Sequence, residues 1–171
     1  MKKWIFAGMV ILLAAAVYYF YPRTVDLQEQ GIKYRLGAAA PSYEQPIQVH
    51  VKGKLYKRIT GNRTFIGTIE LEGEEMPVPL NQRKVELRFN KDNAVLLVYP
   101  YVHNAKPYIH AVGRIYFDKT FSKFTLTVLD KEHGWSGDNG LMITAPAANR
   151  TEALAISNAL MEHSLDGYVL K

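Results

Sequence analysis

Through most of the chain, apolar residues recur at every second position. Ile47, Val49, Val51 and Leu55 share one parity, and Gln48, His50, Lys52, Lys54, Tyr56 and Arg58 hold the other. Phe65, Ile69 and Leu71 alternate with Thr64, Thr68 and Glu70; Val85, Leu87 and Phe89 with Lys84, Glu86 and Arg88; Phe124, Leu126 and Val128 with Lys123, Thr125 and Thr127. Period two is the mark of half-buried antiparallel strands. Gly61-Asn62, Asn90-Lys91-Asp92-Asn93, Asn104-Ala105-Lys106-Pro107 and Asp118-Lys119-Thr120 supply turn chemistry between them. Ala38-Ala39-Ala40-Pro41 reads as a loop, and Pro77 and Pro79 demote Met76 to Leu80 to an edge strand. Strands are expected near 25–36, 47–60, 63–72, 83–90, 94–103, 107–117, 121–130 and 140–146. The fold class that follows is mainly β (α+β). It is an antiparallel meander of about seven or eight strands forming a barrel or strongly curled sheet, with a sandwich as the other closure.

Two segments break the alternation. Near the C-terminus Asn149 stands as an N-cap with Glu152 three residues on. Ala153, Ile156 and Leu160, then Leu154, Met161 and Leu165, repeat at helical spacing, so a helix over 149–165 is expected to pack on the sheet. At the N-terminus Met-Lys-Lys precedes an uncharged run from Trp4 to Tyr21, closed by Pro22 and Arg23. As a helix this run is about 27 Å long, just under the ~30 Å hydrocarbon core of a bilayer. Lys2 and Lys3 place the short N-terminus in the cytoplasm, and Trp4 at one end and Tyr18 to Tyr21 at the other suit the two interfaces. An N-terminal transmembrane helix, a signal-anchor over 1–23, is therefore expected. The alternative is a secreted protein cut after Ala14-Ala15-Ala16. Residues 24–46 then form a juxtamembrane segment with a first strand, and 47–171 an extracytoplasmic β-rich domain.

Composition narrows the partners. The chain has 171 residues, no cysteine and a net charge of +5; setting aside Lys2 and Lys3 leaves +3. Such a mild balance on an exported chain argues against nucleic acid. Without cysteine, stability must come from packing rather than disulfides, and no lipid-modified cysteine is available.

Several segments resemble a family. Phe65-Ile66-Gly67-Thr68-Ile69, Pro77-Val78-Pro79, Asp118 to Phe124, and Leu141 to Ala147 followed by Asn149-Arg150, Glu152-Ala153-Leu154 and Ile156-Ser157-Asn158 are similar to small uncharacterised membrane-anchored exported proteins of Gram-positive bacilli. The resemblance spans most of residues 47–162. It implies a host and an address, with no activity and no catalytic residues to carry over.

The candidate chemistry is dispersed. Lys52, Lys54, Lys57, Arg58 and Arg63 make a basic stripe, of which Lys52, Lys54 and Arg58 share one strand face suited to anionic lipid headgroups or wall polymer; a solvated, edge-protecting face is the plainer account. Tyr99, Tyr101, His103, Tyr108, His110, Arg114 and Tyr116 share the other hairpin parity, set against a core of Val98, Val102, Ile109, Ala111, Ile115 and Phe117. Tyrosine beside arginine suits stacking on a polar ligand, and cross-strand stabilisation is the alternative. Trp135 anchors the glycine-rich loop Gly134–Gly140. Ser136 lacks nucleophile-elbow spacing, because Asp138 stands where glycine is needed. Glu70, Glu72, Glu74 and Glu75 flank a turn rather than a cleft. Five histidines occur without metal-ligand spacing, and no cofactor is expected. The expected function is a non-enzymatic binding module at the bacterial cell envelope. The alternative is a wall hydrolase built on the His133–Ser136 loop.

Overall fold

The computed structural model describes the chain except residues 1, 38–42, 59–60, 91 and 131–133, and except the side chains of residues 2, 3, 5, 7 and 15 within the first helix. The elements, in order, are α1 (Lys2–Phe20), β1 (Arg23–Arg35), β2 (Glu44–Lys57), β3 (Arg63–Leu71), a 3-10 turn (Leu80–Gln82), β4 (Lys84–Phe89), β5 (Ala94–His103), β6 (Lys106–Phe117), β7 (Phe124–Val128), β8 (Leu141–Ala145) and α2 (Arg150–Leu165). The expected loop at Ala38–Pro41 lies outside the described residues, as does Lys91 of the expected turn at Asn90–Asn93.

The strands form one antiparallel sheet in the order β4-β3-β2-β1-β8-β7-β6-β5. Consecutive strands therefore lie side by side, and β1 pairs with β8 through Ile32↔Thr144 to Arg35↔Leu141. That pairing joins the two halves of the meander into a nearly closed up-and-down barrel, with one seam between β4 and β5.

The barrel is filled. Val49, Val51, Phe65, Ile69, Ile115, Phe124 and Leu126 are wholly buried in one cluster, from the parities that the alternation marks as apolar, and Leu97 and Ile143 join them. The outer face of β1, β8 and β7 is covered by α2 and is also buried. Here the covering helix overrides strand polarity. Thr125, Thr144 and Ser157 have no exposed surface, and their hydroxyls join that of Tyr34 in one network with contacts of 2.7–2.8 Å. Asn149 caps α2 as expected, accepting from the Glu152 N–H at 2.9 Å. Its fully buried stripe is narrower than its apolar face: Ala153, Ser157 and Met161, with Leu154, Ile156, Leu160 and Leu165 half-buried.

Three expectations are corrected. Met76 to Leu80 forms no strand; Pro77 and Pro79 cannot donate to a ladder, and the segment runs as a loop anchored by buried Val78, whose carbonyl accepts from Arg83 Nε at 2.9 Å. The hairpin core is inverted at its outer half. β5 and β6 pair Leu97↔Gly113 and then Val98↔Ala111, so Val112 is an extra residue in β6. In β6 this bulge reverses parity, so that Ile109 is 77% exposed and Ala111 is exposed; in β5, which has no extra residue, Tyr99 shares the inward parity of Leu97 and joins Ile115 and Phe117 inside, and Val102 is 53% exposed. Finally, β2 ends at Lys57, so Arg58 stands in the turn rather than on the face of Lys52 and Lys54.

At the N-terminus, α1 stops at Phe20. Its 19 residues include Lys2 and Lys3, which leaves an uncharged length of about 25 Å. Among the described residues no helix is long and apolar enough to cross a membrane. Odd-numbered strands run away from α1, so the β2–β3, β4–β5 and β6–β7 turns lie at the end of the barrel where α1 attaches, and the β5–β6 turn lies at the far end.

The near end is plugged by aromatic rings. Phe121, in the left-handed region at φ 60°, turns inward and stacks on Phe117 at 4.5 Å, with Phe65 and Phe89 also against it. Asp118 holds that turn, accepting from the N–H groups of Ser122, Lys123 and Thr120 and from the Thr120 and Ser122 hydroxyls. Arg63 crosses over the Phe121 ring at 5.1 Å and donates to the Lys119 carbonyl at 2.6 Å and to Asn93 Oδ1.

The seam is closed by side chains. β4 pairs with β3 only as far as Lys84↔Thr68, which leaves Ile69 without a β4 partner. The Tyr99 hydroxyl reaches across and donates to the Ile69 carbonyl at 2.9 Å. The Gln82 amide acts as a strand surrogate: its Nε2 donates to the Val102 carbonyl at 3.1 Å, and its Oε1 accepts the Val102 N–H at 2.7 Å.

Two predictions follow from these contacts. Tyr99→Phe leaves a buried carbonyl unpaired and should cost about 1–3 kcal/mol, whereas Gln82→Ala, at the solvent edge, should cost roughly 1 kcal/mol. Urea unfolding measures both, and a Tyr99→Phe variant as stable as the parent contradicts the seam assignment. For Asp118, partial burial acts to raise the carboxyl pKa, but hydrogen bonds from the Thr120 side chain and the backbone of Lys123, Ser122 and Thr120 prevail and lower it. A carboxyl lowered on folding contributes stability that is present above its unfolded value, about 3.9, and is lost as pH falls through its folded value. Asp118→Asn should lower Tm at neutral pH and flatten its fall below about pH 4; equal acid profiles for the two proteins refute this role.

Candidate functional site

The nominated residues fall in four places. Lys52 and Lys54 are exposed on the outer face of β2, opposite Asp26 and Thr24 of β1. The stripe is thus interrupted by a carboxylate one strand away. Arg58 is apart from them, its N–H donating to the Asn62 carbonyl at 2.9 Å.

The aromatic hairpin divides. Tyr99 belongs to the core, and burial raises its hydroxyl pKa. Tyr101 and Tyr108 pair across the arm with rings 5.5 Å apart and stacked. Arg114 lies on the outer face of β6, held through its backbone by the Thr127 hydroxyl. Tyr116 is buried beneath α2. Residues 102–109 project beyond the barrel as an exposed arm that ends in Asn104 and Ala105, both in the left-handed region. His103 and His110 face Lys106 and Tyr99 rather than each other.

Trp135 packs at the rim of the cluster under α2. Its Nε1 is buried without a hydrogen-bond partner, directly against Gly140, where a Cβ would overlap it. A cavity of about 250 Å³ lies beside this loop, lined by Arg35, Asp130, Ser136, Asn139 and neighbours. Arg35 donates to the Asn139 carbonyl at 3.0 Å. The Ser136 hydroxyl is exposed and accepts from the Asp138 N–H at 3.2 Å. His133 lies outside the described residues. Among those described, no group of three histidine or carboxylate side chains is placed to hold a metal. The glutamate turn is used in pairing: Lys33 meets Glu74 at 2.5 Å and His50 meets Glu72 at 3.1 Å.

A more voluminous concavity was not nominated from the residues. Between α1 and the near end of the barrel is a cleft of about 790 Å³, lined by Ala14, Val17, Tyr18, Tyr19, Tyr21, Pro22, Arg23, Leu55 and Lys57. It is apolar along α1 and β2 and cationic at its mouth. Lys57 Nζ stands 4.9 Å from the Tyr19 ring centroid. Arg23 reaches the cleft because β1 begins opposite Leu55, and Lys57 because β2 ends opposite Arg63. The one signal in the residues is the tyrosine cluster beside Arg23. That Lys57 joins it depends on β1–β2 register, which alternation leaves free by steps of two.

No family model matches the chain, and neither a curated protein nor a solved structure is found to be similar to it.

Proposed function

We propose that this chain is a membrane-tethered, extracytoplasmic binding domain of a bacterial cell envelope, and that it works by contact rather than catalysis. The observation that carries the reading is α1. From Trp4 to Phe20 it bears no charge, and its described side chains stand exposed, Trp4 at 83%, Ile11 at 68% and Leu12 at 73%. A row of that kind is unfavourable in water, at about 25 cal/mol per Å² of apolar surface, and wants a lipid solvent. The uncharged length is some 5 Å short of a typical core, a mismatch that local thinning of the bilayer accommodates at modest cost. The envelope address and Gram-positive host rest on the resemblance described above.

Binding suits the barrel better than catalysis does. Its interior is occupied by side chains, so a ligand has the outer surfaces and the two ends to meet. With α1 in a membrane, the near end faces the lipid headgroups, where Lys54, Lys57 and Arg58 are exposed. The far end presents the arm, with the stacked Tyr101–Tyr108 pair on one face and Val102 and Ile109 on the other. The arm is the surface offered to an envelope partner, and the near-end cations are the surface offered to anionic headgroups or wall polymer.

Fractionation of the full chain tests the tether. The protein should remain with membranes through high-salt washing. Leu12→Arg, which adds about 2.5–3.5 kcal/mol to insertion of a helix centre, should move most of it to the soluble fraction. A soluble parent protein beginning near Val17 would show a cleaved signal and defeat the tether.

A further inference from the structure

We infer that the cleft between α1 and the barrel is a binding site for a phospholipid with a net negative headgroup. The inference rests on the tethered reading above, and it assigns to the near end one site and one ligand class.

The cleft has the two-part chemistry that such a lipid requires. Part of its lining is Ala14, Val17 and Leu55, without a polar side chain. Val17 lies about 4.5 Å along the helix axis from Phe20, the last helical residue before Tyr21. With Tyr21 at the interface, that places Val17 at the first carbons of an acyl chain. The mouth holds three tyrosines with Arg23 and Lys57. Tyrosine is at home at headgroup depth, with its ring in the apolar zone and its hydroxyl free to bond ester or phosphate oxygens.

The cations are uncommitted. Among the described residues, neither Arg23 nor Lys57 forms an ion pair with a carboxylate; Lys57 rests on the Tyr19 ring, and Arg23 is exposed. The neighbouring turns add Arg58, Lys119 and Lys123, all exposed. The two carboxylates described in the turns of this end, Asp92 and Asp118, are bonded within their own turns. Positive charge therefore gathers at the mouth, where Arg23 and Lys57 have no carboxylate partner among the described residues. A zwitterionic headgroup would bring its own cation there, and an anionic one would not, so the site discriminates by charge. An acidic peptide would satisfy the cations and leave the apolar wall unfilled.

Native mass spectrometry of the full chain released from detergent, with phosphatidylglycerol or phosphatidylcholine added, tests the site. The parent should retain phosphatidylglycerol in preference. Arg23→Gln with Lys57→Gln should lower that retention on the order of 30-fold, taking about 1 kcal/mol for each basic residue. Lys57→Arg should keep the preference, and Lys52→Gln with Lys54→Gln, outside the cleft, should keep most of it. Equal retention of the two lipids by the parent, or indifference to the Arg23 and Lys57 changes, overturns the site. Displacement of phosphatidylglycerol by a short polyglutamate peptide also overturns it, in favour of an acidic partner. Carbonate extraction from phosphatidylcholine vesicles separates the two levels. A chain that inserts there but shows no lipid preference defeats the site alone; a chain that does not insert defeats the tether and the site with it.

Discussion

A sheet that curls nearly into a barrel must still satisfy the polar backbone along the two edges that do not meet. Here those edges belong to β4 and β5, and the rest of the architecture depends on their being held together. β4 is only six residues long, too short to flank the full length of β3 or β5. Side chains make up the difference. The Tyr99 hydroxyl takes the carbonyl that β4 does not reach, and the Gln82 amide mimics one residue of a missing strand. The same device recurs at the C-terminal end, where the Asn158 amide both donates to and accepts from the backbone of Leu170. In the two amide cases a planar side chain that donates once and accepts once substitutes for a peptide group. Pro100 on β5 helps to keep the seam from recruiting another strand, since it has no N–H to present.

Much of the fold was legible because it is governed by period two. All eight strands lie where alternation and turn residues put them, and the helix begins at the cap that Asn149 and Glu152 announce. The failures have local causes. One residue, Val112, sits in a bulge that the alternation gives no sign of, because valine suits either face of a strand. It reverses the parity of β6 in the arm, so that Ile109 becomes surface; Tyr99 is core because β5 keeps the inward parity of Leu97. The burial of Thr125 and Thr144 follows from which face α2 covers, a tertiary fact that strand polarity contradicts. The proline segment misled in the other direction, since its apolar residues serve one buried anchor, Val78, rather than a strand.

The candidate surface was less legible, and the reason is physical. Residues of one strand face can be read from parity, so the stripe of Lys52 and Lys54 was visible. A site built between elements needs register and orientation. The cleft takes Tyr18 and Tyr19 from the helix, Arg23 from the start of β1 and Lys57 from the end of β2, residues up to 39 positions apart, brought together by the pairing of Arg23 with Leu55. The Gly134–Gly140 loop shows the converse. Trp135 is conspicuous as a residue, yet much of its ring packs at the rim of the helix-covered cluster and Gly140 exists to admit it.

The two ends of the barrel are different in kind, and this asymmetry argues for a fixed orientation. The near end is stiff: a stack of phenylalanines closes it, Asp118 ties its longest turn, and Arg63 bridges that turn to the β4–β5 connection. Burial lowers the Arg63 pKa and the Asp118 charge offsets this only in part, so the guanidinium lies partly desolvated over an aromatic face with an opposite charge in the turn it clamps. The far end is open by comparison, with an arm whose residues are exposed on both faces from Val102 to Ile109. A rigid, cationic base beside an apolar helix and a projecting arm with unburied aromatic and aliphatic side chains are what a tethered contact domain requires. In the proposed tethered reading the base would set the domain's orientation, and the filled core would keep its shape. Beyond the Gln82 contact at Val102, the arm lies outside the packing that holds the barrel.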